Sequence, residues 1–196
     1  MTRAGARSLQ NSLAWAGDGA AHLRGLMTRM GDDAFAAPSA LPGWSRAHVL
    51  THTARNADEV WRTYFETLAE AARSGLYDIM GHPDLVKVWG RERPVPDGDP
   101  RFYYEPAVEA FAESGVAVEV STAGWRKPAH EPYPSPALLE MCVEAGCPMV
   151  LSSDAHVPDE LGYRYEDVVE LLAAAGVEEL CVFEGRRRRL EPIGAD

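Results

Sequence analysis

An aspartate and a histidine one residue apart, Asp154-Ala155-His156, follow the run Met149-Val150-Leu151-Ser152-Ser153. Three apolar residues in a row predict a short buried strand, and the two serines end it. In a parallel α/β sheet, ligands and catalytic groups collect at the carboxyl ends of the strands. A carboxylate and an imidazole placed there can both reach one metal ion as the backbone turns away. The pattern occurs earlier too: Tyr77-Asp78-Ile79-Met80 is strand-like, and Gly81-His82-Pro83-Asp84 follows it. Two strands ending in imidazole, one also in carboxylate, point to ligands converging on one rim. Imidazole and carboxylate donors suit a divalent metal, zinc, manganese or iron.

The elements that must position these residues repeat. Helices are predicted over Val60–Ser74, Phe102–Glu113, Ala137–Ala145 and Tyr165–Ala175. Gly75, Gly115, Gly146 and Gly176 stop them, and strands follow at Tyr77–Met80, Val116–Val120, Met149–Leu151 and Leu180–Phe183. Alternating helices and buried strands predict an α/β fold with a parallel sheet and right-handed crossovers. The long connections fall after the strands, as functional loops should. Residues 1–58 have a different, all-helical texture: an amphipathic helix over Asp18–Met30, a Pro- and Gly-rich loop at Ala37–Trp44, and a helix capped by Ser45. The domains expected are therefore 1–58 and 59–196.

Composition narrows the function. With 19 basic and 30 acidic residues in 196, the net charge is -11, which opposes non-specific binding to nucleic acid or an anionic membrane. No apolar run of about 18 residues is present, so no membrane span is expected. Residues 1–10 lack a signal-peptide core. The three cysteines, Cys142, Cys147 and Cys181, lie in or beside apolar runs and read as buried small hydrophobes, which sets a reducing cytoplasm as the expected location.

His82-Pro83-Asp84-Leu85-Val86-Lys87, Glu119-Val120-Ser121-Thr122-Ala123-Gly124 and Ser152-Ser153-Asp154-Ala155-His156 together resemble the PHP-type histidinol-phosphatases over about residues 60–194. The resemblance implies a distorted (β/α) barrel, here partial, with divalent metals at its carboxyl rim. It also implies hydrolysis of a small phosphate monoester, L-histidinol phosphate in histidine biosynthesis. His82 matches the family's third-motif metal ligand, and Asp154 and His156 match its last two. Arg126, in Gly124-Trp125-Arg126-Lys127, is a candidate phosphate binder by position. Glu119 ends a strand on the same rim, behind the ligands rather than among them, and Lys87 reads as a solvated loop cation. The family's opening His-x-His is absent: the six histidines are His22, His48, His52, His82, His130 and His156.

Ala37-Pro38-Ser39-Ala40-Leu41-Pro42-Gly43-Trp44-Ser45-Arg46-Ala47-His48, continuing through His52 to Asp58, is similar to the start of mycothiol-dependent maleylpyruvate isomerases, a DinB-like helical family. There His52 would match the first zinc ligand. By spacing alone, His48 and His52 read as structural helix histidines, since no glutamate completes a His-Glu-x-x-His pattern. The chain thus reads as a junction near Asp58–Val60 between two enzyme families, each represented in part. Three functions follow as expectations: a metal-dependent phosphoester hydrolase impaired by missing first-half ligands, a non-catalytic metal- or phosphate-binding remnant, and a thiol-dependent isomerase-like module using His52. Four strand–helix units would leave open sheet edges, which template pairing and predict homo-oligomers. Arg186–Arg189 reads as a solvated run or a phosphate-attracting cluster.

Overall fold

Ser45 begins the first long element. Its Oγ accepts the backbone N–H of His48, while its own N–H is donated to His48 Nδ1 at 3.1 Å. This reciprocal bond has the form of a capping box with histidine in the place of glutamate. It commits Nδ1 of His48 as an acceptor. In the computed structural model, which describes residues 25, 29–90, 95–96 and 98–193, a short helix α1 (Asp32–Ala36) precedes this cap, and α2 runs unbroken over Arg46–Arg73. The helix predicted at Asp18–Met30 falls almost wholly outside the described residues. The two helical stretches predicted on either side of Glu59 are one helix.

Downstream, the elements are β1 (Ile79–Met80), α3 (Arg101–Ser114), β2 (Ala117–Ser121), α4 (Pro136–Glu144), β3 (Met149–Ser152), α5 (Tyr165–Ala174), β4 (Glu179–Glu184) and β5 (Arg187–Pro192). The glycine stops behave as their chemistry requires. Gly115, at φ 66°, caps α3 in the left-handed region and donates its N–H to Phe111, a conformation glycine adopts without steric cost.

β1, β2 and β3 form a three-stranded parallel sheet in that order, with Met80 beside Val118, Val118 beside Met149, and Ser121 beside Ser152. Val118 and Val120 are fully buried, as the central strand of a covered sheet requires. Against the sheet pack Phe65, Phe111, Leu138, Leu139 and Leu172. Trp61, Phe65 and Tyr104 meet at ring-centroid distances of 4.9–6.3 Å.

The fold is α/β, with one correction to the expected strand count. β4 does not join the parallel sheet. It pairs antiparallel with β5 in a separate two-stranded sheet, Glu184 facing Arg187 across Gly185-Arg186. A two-residue connection with a left-handed glycine, Gly185 at φ 61°, folds the chain straight back. Every residue of β5 is exposed, so Arg187-Arg188-Arg189 offers no apolar alternation by which to recognise a strand. Among the described residues the parallel sheet is open and no barrel closes.

By contacts the chain forms two compact units, Met1–Glu59 with Gly90–Pro96 and Val60–Trp89 with Asp97–Asp196. The sheet, the core and the rim residues all belong to the second.

Candidate functional site

His82 and Asp154 share an unusual backbone. His82 has φ 30° and Asp154 φ 46°; among the described residues the only other non-glycine residues at positive φ are His130 and Arg164. Such conformations cost about 1–3 kcal/mol each and persist where the surroundings hold them. The holders are identifiable. The His82 N–H donates to Glu119 Oε2 at 2.6 Å, and the Asp154 N–H donates to Ser152 Oγ at 2.9 Å. Glu119 lies on β2, between the strands that lead to His82 and Asp154, so its carboxylate reaches across to the first of them.

His156 stands beside Asp154. Its Nδ1 lies 2.9 Å from the Asp154 carbonyl oxygen and 4.0 Å from Asp154 Oδ1. A carbonyl oxygen can only accept, so Nδ1 carries the proton in that bond and the lone pair of a neutral ring sits on Nε2. That is the tautomer in which a backbone-anchored histidine can ligate a metal. The ring is otherwise open, with 78% of its side chain exposed.

Arg126 ties the loop after β2 to the loop after β3. It lies at the end of a 3-10 turn, Thr122–Arg126, whose start is capped by Ser121. Its Nη2 donates to the carbonyl of Ser153 at 2.8 Å and of Asp154 at 3.2 Å, and Nε lies 3.4 Å from Glu160 Oε1. The guanidinium also lies over the Tyr163 ring, at 5.1 Å. Glu160 accepts the His156 N–H at 2.9 Å, and that bond, followed by the Arg126 charge, holds its carboxyl below the usual range. Arg126 therefore secures the Asp154–His156 turn. Its Nη1 is buried with no hydrogen-bond partner.

Beneath the rim lies a buried ion pair that the sequence reading missed. Lys87 is not a solvated cation: it is 6% exposed, and its Nζ sits 2.8 Å from Asp84 Oδ2, 2.8 Å from the Pro132 carbonyl and 3.0 Å from Glu131 Oε1. Asp84 is fully buried and also accepts the Ser135 N–H at 2.7 Å. The pair fastens the His82 loop to the segment before α4. Burial pushes the Asp84 carboxyl up, against the pull of the Lys87 charge. Burial also pushes the Tyr133 hydroxyl up to about 12, with Asp84 and Asp154 adding to the shift. The local Asp-x-x-Lys spacing was the available signal, but i,i+3 charge pairs are common on solvated surfaces.

The donor types of His82, Asp154 and His156 fit a transition metal. Their arrangement supplies fewer than such an ion needs: among the described residues, no group of three or more His, Cys, Asp or Glu is placed to hold one. The structure brings Asp154 and His156 together and sets His82 on the same rim without joining the three. The side chain of His52 lies outside the described residues. The arginine run is engaged elsewhere: Arg186 forks onto Asp78 at 2.7 and 3.1 Å, Arg188 donates to the Gly115 carbonyl, and Arg189 pairs with Glu191. Among the described residues, no helix is long and apolar enough to cross a membrane.

A probable histidinol-phosphatase of Deinococcus radiodurans is 38% identical over 144 residues, covering 74% of this chain and 52% of that protein. A probable histidinol-phosphatase of Schizosaccharomyces pombe is 27% identical over 149 residues, covering 72% of this chain and 47% of that protein. The chain spans about half the length of these curated relatives. The family model of the mycothiol maleylpyruvate isomerase N-terminal domain matches residues 16–141, running past Asp58 and overlapping the phosphatase-like part. With that match taking in more than half of the 196 residues, the chain belongs to the mycothiol maleylpyruvate isomerase N-terminal domain family, and over most of its length it is also similar to probable histidinol-phosphatases.

Proposed function

We propose that residues 59–196 are part of a phosphate-monoester hydrolase domain of the histidinol-phosphatase kind, built on a portion of its distorted barrel. His82, Asp154 and His156 are this chain's contribution to a divalent-metal site taking zinc, manganese or iron, and Arg126 receives a phosphate oxygen. The observation that carries the reading is the pair of left-handed backbones at His82 and Asp154, each held by its own hydrogen bond at the carboxyl rim of one parallel sheet. Strain kept at two ligand-type residues supports reading this rim as a site. The likeness to the two probable histidinol-phosphatases supports the same choice. A bound metal would polarise phosphoryl oxygens and acidify a water. The chain's own residues hold Asp154 and His156 in register through Arg126 and Glu160, and hold His82 through Glu119.

Turnover of L-histidinol phosphate and of p-nitrophenyl phosphate, with manganese or zinc supplied, tests the reading. Hydrolysis that disappears in Asp154→Ala is expected. Equal rates in both proteins would replace the hydrolase with a non-catalytic binding remnant. The family match over residues 16–141 favours a second activity in the same chain, a thiol-dependent isomerase-like module with His52 as metal ligand; loss of thiol-dependent turnover in His52→Ala would be its signature. In the parallel sheet β1 and β3 are the edge strands, which predicts self-association, and a monomer by light scattering would contradict it.

A further inference from the structure

Helix α4 ends in a Schellman motif. Gly146, at φ 71°, donates its N–H to Val143, and Cys147 donates its N–H to the carbonyl of Cys142, both at 2.9 Å. In this motif the residue after the glycine packs against the residue five positions back. Helix α5 ends identically, with Gly176 at φ 86°, Val177 donating to Leu172 at 3.0 Å, and an apolar pair in those two places. In α4 the two places hold thiols. A 2.9 Å N···O contact and standard bond lengths cap the Cα separation of Cys142 and Cys147 at about 6.8 Å, within the roughly 4.4–6.8 Å a disulfide spans.

The two thiols differ in access. Cys142 is wholly buried, whereas Cys147, 7% exposed, lines a groove of about 380 Å³ together with Met149, Glu178 and Arg188. We propose that Cys147 and Cys142 form an oxidisable dithiol, in which Cys147 takes up a low-molecular-weight disulfide from the groove and Cys142 resolves it. The Cys147 thiolate attacks one sulfur of R–S–S–R and expels R–S⁻. The Cys142 thiol then gives up its proton and attacks Cys147 Sγ, expelling the second R–S⁻. Two electrons pass from the protein to the small disulfide, the two cysteine protons go to the two released thiolates, and one Cys142–Cys147 bond forms. Coupling to its neighbour holds the Cys147 thiol below the usual value, and the same coupling with burial holds the Cys142 thiol above it. The bond would fasten the end of α4 to the start of β3, the strand that leads to Asp154. Nothing in it depends on the hydrolase reading.

The folded full chain is incubated with glutathione disulfide, alkylated under denaturing conditions, and read by intact and peptide mass. Expected is a species short of two hydrogens, with Cys142 and Cys147 protected from alkylation and Cys181 alkylated. Cys142→Leu, which copies the α5 packing, should arrest as a glutathione adduct on Cys147; Cys147→Val should leave Cys142 free and alkylated. A stable adduct on wild-type Cys147 would overturn the resolving role of Cys142. Full alkylation of wild-type Cys142 and Cys147 after prolonged exposure would overturn the site itself. Because the wild-type readings decide, poor folding of either variant does not rescue the idea.

Discussion

Glu119 Oε2 accepts the backbone N–H of His82 at 2.6 Å, joining β2 to the turn after β1 and pinning a histidine at φ 30°. A carboxylate acceptor makes this a charge-assisted bond, stronger than a neutral one. Glu119→Ala leaves the His82 N–H without its acceptor, at about 1–3 kcal/mol. A melting point lower by on the order of 5 °C is expected for a chain of this size, with a roughly tenfold loss of metal-dependent phosphatase turnover. Glu119→Gln keeps an acceptor and should lose less of both. Equal losses in the two variants would show that the carboxylate serves His82 in no special way.

Lys87 and Asp84 form a buried polar contact whose removal should threaten the fold. Lys87→Met leaves a carboxylate wholly buried without its cation, at about 3–5 kcal/mol near pH 7. The double variant Lys87→Met/Asp84→Asn should recover a large part of that. Urea unfolding of wild type and both variants measures it.

The same pair sets a pH dependence. The folded Asp84 carboxyl binds its proton more tightly than the unfolded one, because burial raises it. Stability linked to it is therefore complete below the ordinary carboxylate value, about 3.9, and is lost as the pH rises through the raised folded value. Removing Lys87 takes away the main opposing influence and enlarges that loss. The stability gap between Lys87→Met and wild type should thus narrow from pH 7 toward pH 4, and a gap constant across that range would contradict the assignment.

Gly124 opens the way to Arg126. A Cβ there would run into the backbone carbonyl of Glu131 and lie 3.2 Å from the Tyr133 ring. Backbone cannot yield as a flexible side chain can, so Gly124→Ala should destabilise the protein by about 1–3 kcal/mol or more. It should also loosen the Arg126 contacts to Ser153 and Asp154. Faster amide exchange over residues 153–156 in the variant is the expected sign.

Much of this rim was legible before any coordinates. Short apolar runs and glycine-stopped helices announced four parallel strands, of which three form the sheet, and the spacing of Asp154 and His156 placed the two side by side. What stayed hidden depended on distance. Lys87 meets Glu131 across more than forty residues, and no local pattern signals that pairing. β5 is exposed throughout, so it carries no apolar period, and β4 was assigned to the wrong sheet in consequence. The left-handed backbones at His82 and Asp154 are held by side-chain hydrogen bonds, which no sequence pattern signals.

Metal content, by elemental analysis of protein purified without chelator, tests the central claim most directly. Wild type and Asp154→Ala are compared side by side. Zinc, manganese or iron retained by wild type and lost in the variant is the predicted result. No metal in wild type, or an equal amount in both, would contradict the assignment of His82, Asp154 and His156 as ligands.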